Sequence, residues 1–273
     1  MEVTFYGTRG SIPVCDRNFL EFGGNTTSIE VYQPDNKRSL LLDAGSGIRT
    51  LGKKLMTRLD QQSSFFLGFS HFHWDHIQGF PFFDPAYDSN VHLSIMALGQ
   101  NHEVSNIREI FSKQMQKEFF PVGLEQMGAT FSFIHHTANH FHHNGTTVIG
   151  KKHIHPGGAY SYRVERNNKS IVVCTDIEYP TGIDQASIDF CKGADLLIHD
   201  AQYTDAELVI KKGWGHSSFR QAIELAEMAE VKQLIMTHHD PNHDDFFLDK
   251  KEKECQRRFA NANLAREGIV YSI

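Results

Sequence analysis

Cysteine is scarce in this chain: four in 273 residues, at positions 15, 174, 191 and 255, with no C-x-x-C pair among them. Such dispersal offers no disulfide framework and matches a reducing cytosol, so a cytoplasmic protein is expected. Long apolar runs are missing too, and Met1-Glu2-Val3-Thr4-Phe5 enters a strand directly, which leaves neither a membrane span nor a signal peptide to expect. A surplus of positive charge is also lacking. With 27 Lys and Arg against 33 Asp and Glu, the formal net charge of -6 argues against a broad polynucleotide-binding surface, which needs clustered cations. Internal repeats, linkers and low-complexity tracts are absent, so one domain spanning residues 1–273 is expected.

What the chain does have is histidine, and the densest use of it is His71-Phe72-His73-Trp74-Asp75-His76. Phe65-Phe66-Leu67-Gly68-Phe69 ahead of it reads as a short buried strand. Residues two apart on an extended segment point the same way, so His71 and His73 can grip one ion while Asp75 and His76 face a second. A polar turn after a strand is the plainer reading, but four potential ligands packed behind one apolar strand point instead to a dinuclear metal site and a metallohydrolase.

These residues resemble the metallo-β-lactamase superfamily, whose signature is H-x-H-x-D-H after a strand. The resemblance implies a four-layer αβ/βα sandwich of two mixed β-sheets flanked by helices, and it extends over nearly the whole chain. It implies three further metal ligands: His155, Asp176 as the carboxylate bridging both ions, and His238. Their neighbours His153 and His239 rank below them. Leu40-Leu41-Leu42-Asp43-Ala44-Gly45 resembles the family's D-x-G turn, with Asp43 orienting a ligand or, alternatively, capping a turn before a helix from about Ile48 to Leu59. Imidazoles with one shared carboxylate suit two zinc ions, and manganese or iron fit as well. Diiron relatives place a carboxylate where His73 stands. True β-lactamases commonly use a thiol at the place of Asp176; Cys174, two residues earlier, reads rather as a small buried strand residue.

Gly215-His216-Ser217-Ser218 is similar to the G-H-S-T segment of the ribonuclease Z branch, and His199-Asp200-Ala201 to its H-E-A or H-D-A segment. Gly7-Thr8-Arg9-Gly10-Ser11-Ile12-Pro13 and Asn25-Thr26-Thr27-Ser28 resemble that branch also. The resemblance makes His216, held by Asp200, a candidate general acid, with a helix-capping histidine as the plain alternative. Ser218 and Gln221 fit a capping box, which sets His216 just before a helix from Phe219 to Ala229. Asp75 would orient the attacking water or accept its proton, and Gly157-Gly158 would bring backbone amides to a phosphate or simply make a tight turn.

Ribonuclease Z enzymes carry a tRNA-gripping arm between the strand holding a G-Y-R-like motif and the strand leading to the bridging Asp. Here Tyr162-Arg163 is followed by only seven residues before Ile171, enough for a hairpin turn and no arm. The expected substrate is therefore a small phosphodiester, a cyclic nucleotide or cyclic phosphate, with no stable nucleic-acid complex. A ribonuclease Z-like RNA 3′-processing nuclease is the first alternative and a glyoxalase-type thioesterase or lactonase the second. Relatives in this branch suggest a homodimer. Residues 78–152 read as an inserted aromatic-rich segment, in which Phe80, Phe82, Phe83, Tyr87, Phe119 and Phe120 either stack on a base or fill the core, after a helix from about Val104 to Lys117. His135, His136, His140, His142 and His143 read as a polar hairpin, and His239-Asp240 with His243-Asp244-Asp245 as capping and solvated polar groups. Further helices are expected near Gln185 to Cys191 and Leu248 to Ala265.

Overall fold

The computed structural model describes residues 1–59, 63–98, 106–136 and 138–273; the side chains of Leu98, His135 and His136 are outside that description. The strands are β1 (Glu2–Gly7), β2 (Ser28–Gln33), β3 (Arg38–Leu42), β4 (Ser64–Gly68), β5 (His92–Leu98), β6 (Thr130–His136), β7 (His140–His143), β8 (Thr146–His153), β9 (Ala159–Arg166), β10 (Lys169–Cys174), β11 (Leu196–Asp200), β12 (Leu234–Thr237), β13 (Ala262–Leu264) and β14 (Val270–Ser272). The helices are α1 (Ile48–Met56), α2 (Trp74–Ile77), α3 (Ile107–Gln114), α4 (Gln185–Cys191), α5 (Asp205–Ile210), α6 (Phe219–Met228) and α7 (Asp245–Arg258). One seven-stranded sheet has the order β14-β1-β2-β3-β4-β5-β6, the other β13-β12-β11-β10-β9-β8-β7. In the first, pairing is antiparallel from β14 to β3 and parallel from β3 to β6. The second repeats the scheme, antiparallel from β7 to β10 and parallel from β10 to β13.

Strand alternation sorts the apolar side chains into three cores. In β10, Ile171 and Val173 face the opposing sheet while Val172 and Cys174 face helices; in β11, Leu196 and Ile198 face the sheet and Leu197 the helices. Val3, Phe5, Ile29, Val31, Leu42 and Met96 of the first sheet fill the space between the sheets with Tyr162, Val164 and Ile235 of the second. Outside the first sheet, Ile48, Leu51 and Leu55 of α1 and Ile107 and Phe111 of α3 cover Leu41, Phe65, Leu67 and Leu93. Outside the second, Phe219, Ile223 and Ala226 of α6 and Leu248 and Cys255 of α7 cover Leu197, Leu234 and Met236. Three cores make four layers, the expected αβ/βα sandwich.

Several local expectations change. Residues 78–152 supply β5, β6, β7 and β8, which extend both sheets to one edge. Phe80 and Phe83 are fully buried in the core outside the first sheet, whereas Phe82 and Phe119 are exposed. The helix expected from about Val104 is α3, beginning at Ile107 with Asn106 as N-cap; Val104 itself lies outside the described residues. The helix expected as far as Ala265 ends at Arg258, because Ala262–Leu264 pair in parallel with β12 as β13 and sheet closure overrides a helical pattern. The polar hairpin expected around His140–His143 is present, with that stretch as strand β7 paired to β8 and exposed. Between β9 and β10 the chain turns on Asn167 and Asn168 alone, both left-handed (φ 51° and 59°), with Arg166 paired to Lys169. This two-residue turn of the primed kind matches the twist of its strands and occupies the place of the absent arm.

Phe111 sits at the centre of an aromatic group, its ring centroid 5.3 Å from Phe69, 4.4 Å from Phe80 and 6.3 Å from Phe72. Phe72 lies between two of the histidines, so this packing backs the His71–His76 turn. Truncating a buried phenylalanine costs about 3–5 kcal/mol. Phe111→Ala is expected to lower unfolding stability by that amount in urea titrations at unchanged m-value; a loss below about 1 kcal/mol would show that the turn does not lean on this core.

Candidate metal centre

Most polar groups of the centre lie at or just beyond the C-terminal end of a strand: Asp43 after β3, His71 after β4, His155 after β8, Asp176 after β10, Asp200 ending β11 and His238 after β12; Asp75 and His76 lie in α2, and His216 precedes α6. Asp43, Asp176 and His238 adopt left-handed conformations, with φ of 60°, 58° and 63°. Aspartate and histidine visit this region more readily than most residues, and here it turns each side chain sharply off its strand into the space between the sheet ends.

Two groups of ligand-type side chains result. His71, His73 and His155 form one; Asp75, His76, Asp176 and His238 form the other, with the facing atoms of each group within 4.8 Å of one another. A third, overlapping group joins Asp176 and His238 to Asp200 and His216. Thus all seven residues named as metal ligands in the sequence, and both partners of the candidate acid pair, come together. His73 Nδ1 and His155 Nε2 are 3.0 Å apart, and His238 Nε2 lies 3.2 Å from Asp75 Oδ2 and 3.3 Å from Asp176 Oδ1.

The donor set fits divalent metal on one further observation. His71 Nε2, His76 Nε2 and Asp176 Oδ2 are fully buried and make no hydrogen bond, although His76 Nε2 is only 3.1 Å from Asp176 Oδ2. Buried polar atoms are seldom left without a partner, and these three belong to the two groups of ligand-type side chains. Meanwhile the opposite ring nitrogens of His71, His76, His155 and His238 are engaged. His76 Nδ1 donates to Asp43 Oδ2 (3.0 Å), His155 Nδ1 to the Gly215 carbonyl (2.9 Å) and His238 Nδ1 to Gln202 Oε1 (2.9 Å). Ser70 Oγ gives its proton to Asp43 Oδ2 (2.9 Å) and so accepts from His71 Nδ1 (3.1 Å). Each bond fixes a tautomer with Nε2 free to bind metal. Asp43 therefore orients the His76 ring; it does not cap α1, whose N-cap is Gly47 with no side-chain bond.

Sequence reasoning named neither Ser70 nor Gln202, and it gave the N-terminal loop no role. That loop donates Ser11 N to Asp75 Oδ2 (2.7 Å), and any side chain at Gly10 would run into the His238 ring. Glu178 was missed as well: its carboxylate accepts Gly213 N (2.7 Å) and Gly215 N (2.9 Å), pinning the loop before His216. A lone Glu in an otherwise ordinary segment carries no signal, whereas Gln202 was marked by its place after Asp200-Ala201.

The competing residues are occupied elsewhere. His153 Nε2 donates to the Asp176 carbonyl (3.0 Å) and His239 Nε2 to the Ala265 carbonyl (3.0 Å). Cys174 faces the helix side, its Sγ 3.9 Å from that of Cys191. Asp240 closes a turn onto Asn242 and Asp244 caps α7, as expected of that stretch, but His239, Asp240 and His243 are buried rather than solvated, and His243 pairs with Glu207 at 2.9 Å. Gly157 and Gly158 form a left-handed turn in which Gly158 N is already bonded to the His155 carbonyl.

His216 Nδ1 donates to Asp200 Oδ2 (2.8 Å), and Asp200 also accepts Asp176 N (3.1 Å), Gln202 N (3.2 Å) and Ser217 N (2.9 Å). Ser218 caps α6 in a reciprocal box with Gln221, as its sequence anticipates. The His216 ring stacks on His238 with centroids 4.9 Å apart.

A β-lactamase superfamily domain model matches residues 38–239. The chain belongs to the metallo-β-lactamase superfamily. It is a hydrolase of that superfamily, in its ribonuclease Z-like branch. Ribonuclease Z of Prochlorococcus marinus (strain NATL2A) is 28% identical to it over 328 aligned positions, covering 100% of this chain and 99% of that protein. Among solved structures, the metallo-β-lactamase fold protein YhfI from Bacillus subtilis superposes with a TM-score of 0.71 at 22% identity, over 99% of this chain and 98% of its own. The short form of human tRNase Z superposes with a TM-score of 0.68 at 21% identity, over 100% of this chain and 99% of its own.

Without metal, the cluster holds protons. Burial disfavours the His238 cation, but Asp176, Asp75 and Asp200 outweigh it and raise the ring to about 9. Burial likewise opposes, and Asp176, Asp75 and Asp43 overcome, a rise of His76 well above its ordinary value. Burial, reinforced by the neighbouring imidazoles, lowers His71 well below the ordinary value. A raised histidine stabilises the metal-free fold fully below pH 6.5 and loses that contribution as pH rises through about 9. Metal needs the neutral ring, so affinity runs the opposite way. Metal uptake by the stripped protein at neutral pH is expected to release protons, with affinity rising by up to ~10-fold per pH unit for each proton displaced until about pH 9. A pH-independent affinity between 6.5 and 9 would refute it. We further expect Asp176→Ala to lose both ions and His238→Ala mainly one, as read by metal analysis of the purified variants.

Proposed function

We propose that this hydrolase uses a dinuclear centre, held by His71, His73, Asp75, His76, His155, Asp176 and His238, to cleave a small phosphodiester such as a cyclic nucleotide or cyclic phosphate. The observation that carries this reading is the His216–Asp200 pair set beside the ligand cluster. Hydrolysis of a thioester has less need of such a donor, because a thiolate departs readily without a proton; a ribose alkoxide leaving phosphorus needs one. Divalent ions, zinc by the imidazole-rich donor set, supply charge neutralisation at phosphorus and make a water acidic enough to attack at neutral pH.

The chain's own groups perform the rest. Asp75, steadied by Ser11 N, orients the attacking water or accepts its proton. His216 gives its Nε2 proton to the departing oxygen, and Asp200 holds the ring through Nδ1 and balances the imidazolium charge. Asp200 is itself fixed by three backbone amides, so the donor stays in place as its charge changes.

The preference for a small substrate is supported by the two-residue Asn167-Asn168 turn and the net charge of -6. It is also supported by the length of the ribonuclease Z alignment, 328 positions against 273 residues, since the relative has segments that this chain lacks. The second reading is an RNA 3′-processing nuclease, favoured by the relatives' name. In the small-substrate reading the protein forms no stable nucleic-acid complex. No helix among the described residues is long and apolar enough to cross a membrane, and the four cysteines are all free, which supports a reducing cytoplasm. Exposed Val209, Ile210 and Phe246 on α5 and α7 are surfaces that a homodimer would cover.

Two measurements test the reading. The protein is expected to open 2′,3′- or 3′,5′-cyclic nucleotides to monophosphates more efficiently than it trims a precursor tRNA; efficient tRNA trimming with inert cyclic nucleotides would replace the first reading by the second. His216→Ala is expected to cost about 10²- to 10⁴-fold on an alkyl or cyclic phosphodiester and far less on a nitrophenyl ester, whose leaving group departs unaided. Equal losses on both substrates in a variant of unchanged metal content would reassign His216 to positioning.

A further inference from the structure

The chain contains two tryptophans, and both are exposed beside the metal centre. Trp74 follows His73 in the motif and is 64% exposed; Trp214 precedes Gly215 and is 58% exposed. Exposure of a large apolar ring carries a cost in water, and it is unusual for every tryptophan of a chain to bear it. Contacts tie the two positions together. His73 Nδ1 is 3.0 Å from His155 Nε2, and His155 Nδ1 donates to the Gly215 carbonyl at 2.9 Å, so the segments bearing the rings meet across one imidazole. Gly215 is left-handed (φ 92°), and a side chain there would strike His155 and Pro156. Ile154, next to His155, is exposed as well, and the Glu178 amide donates to the Ile154 carbonyl (3.0 Å) while the Glu178 carboxylate holds Gly213 and Gly215. The loops that carry Trp214 and Ile154 are therefore fastened to one buried residue.

His73 is the exposed member of the ligand set, which puts the open side of the centre at these segments. Lys211 sets its ammonium 3.9 Å from the centroid of the Trp214 ring, a positive charge at the edge of an acidic protein. An aromatic rim with a cation, beside a site built for a phosphodiester, is the chemistry that recognises a planar ring carried on a phosphate. Resting on the phosphodiester reading above, we infer that Trp74 and Trp214 form a ring-binding rim of the active site, so that the substrate is a phosphodiester bearing a nucleobase rather than a bare cyclic phosphate. The rim acts on binding; the chemistry stays with the groups beneath it.

Because there are no other tryptophans, fluorescence excited selectively at tryptophan, beyond the absorption of the eight tyrosines, reports on the rim. The experiment titrates zinc-loaded protein with adenosine 5′-monophosphate and, as the ring-less control, ribose 5-phosphate. Adenosine monophosphate is expected to quench the emission and bind more tightly than the control. Stacking on an aromatic side chain changes affinity by roughly 10- to 100-fold. Trp214→Ala and Trp74→Ala are each expected to weaken adenosine monophosphate by that factor and leave ribose 5-phosphate unchanged, while Trp→Phe restores most of the affinity. Metal content is measured on each variant, so that a lost ion is not mistaken for a lost ring. Equal binding of the two ligands, or adenosine monophosphate binding indifferent to both alanine variants, would overturn the proposal. If ring-dependent quenching is intact but no cyclic nucleotide is opened, the phosphodiesterase reading fails and the rim stands.

Discussion

Five imidazoles and two carboxylates confront one another across a few ångströms, in a place where little water is left to separate them. Such an array cannot be stable through its own contacts. Burial, with the neighbouring imidazoles, pushes His71 toward neutrality, while His76 and His238 are pulled the other way by the carboxylates they face. Everything around the cluster serves to hold these competing preferences in one geometry. Hydrogen bonds from the far side of His71, His76, His155 and His238 fix their tautomers, the Ser11 amide fixes Asp75, and left-handed backbone turns fix the approach of Asp43, Asp176 and His238. Metal is the natural resolution of the conflict, since it replaces shared protons by charge that all seven groups favour.

That demand explains the shape of the molecule. No short segment can bring these seven side chains to one place, so the fold collects them from segments far apart in sequence and uses two stacked sheets to make the strand ends coincide. The apolar core between the sheets sets the spacing of those ends, and the helical cores outside prevent the sheets from splaying. Phe72, lodged between two histidines and packed near Phe69 and Phe111, shows how directly core and site are joined.

Much of this was legible in the sequence because the ligands come in local clusters or adjoin apolar strands. His71 to His76 announce themselves by density. Asp176 and His238 are recognisable only with the resemblance in hand, since one carboxylate or one imidazole after a strand is ordinary. Where local pattern and tertiary need disagree, pattern fails. Ala262-Asn263-Leu264 has helical composition and becomes a strand because β12 offers an open edge. Phe80 and Phe83 look like Phe82, yet the first two are core and the third is exposed, a distinction set by packing partners remote in the chain. Glu178 and Gln202 escaped notice for the same reason: what they hold lies elsewhere in the sequence.

The repetition of one pairing scheme in both sheets has a consequence for the centre. Counted from its antiparallel end, each sheet has a fourth strand, β3 in one and β10 in the other, and each of these is followed by a left-handed aspartate. Asp43 and Asp176 thus occupy equivalent stations in two halves of like design. One half turns its carboxylate inward to the ligand cluster; the other applies the equivalent carboxylate to steady an imidazole. A nearly two-fold frame thus gives the centre unlike surroundings, because one aspartate faces the ligand cluster and its counterpart holds an imidazole from behind.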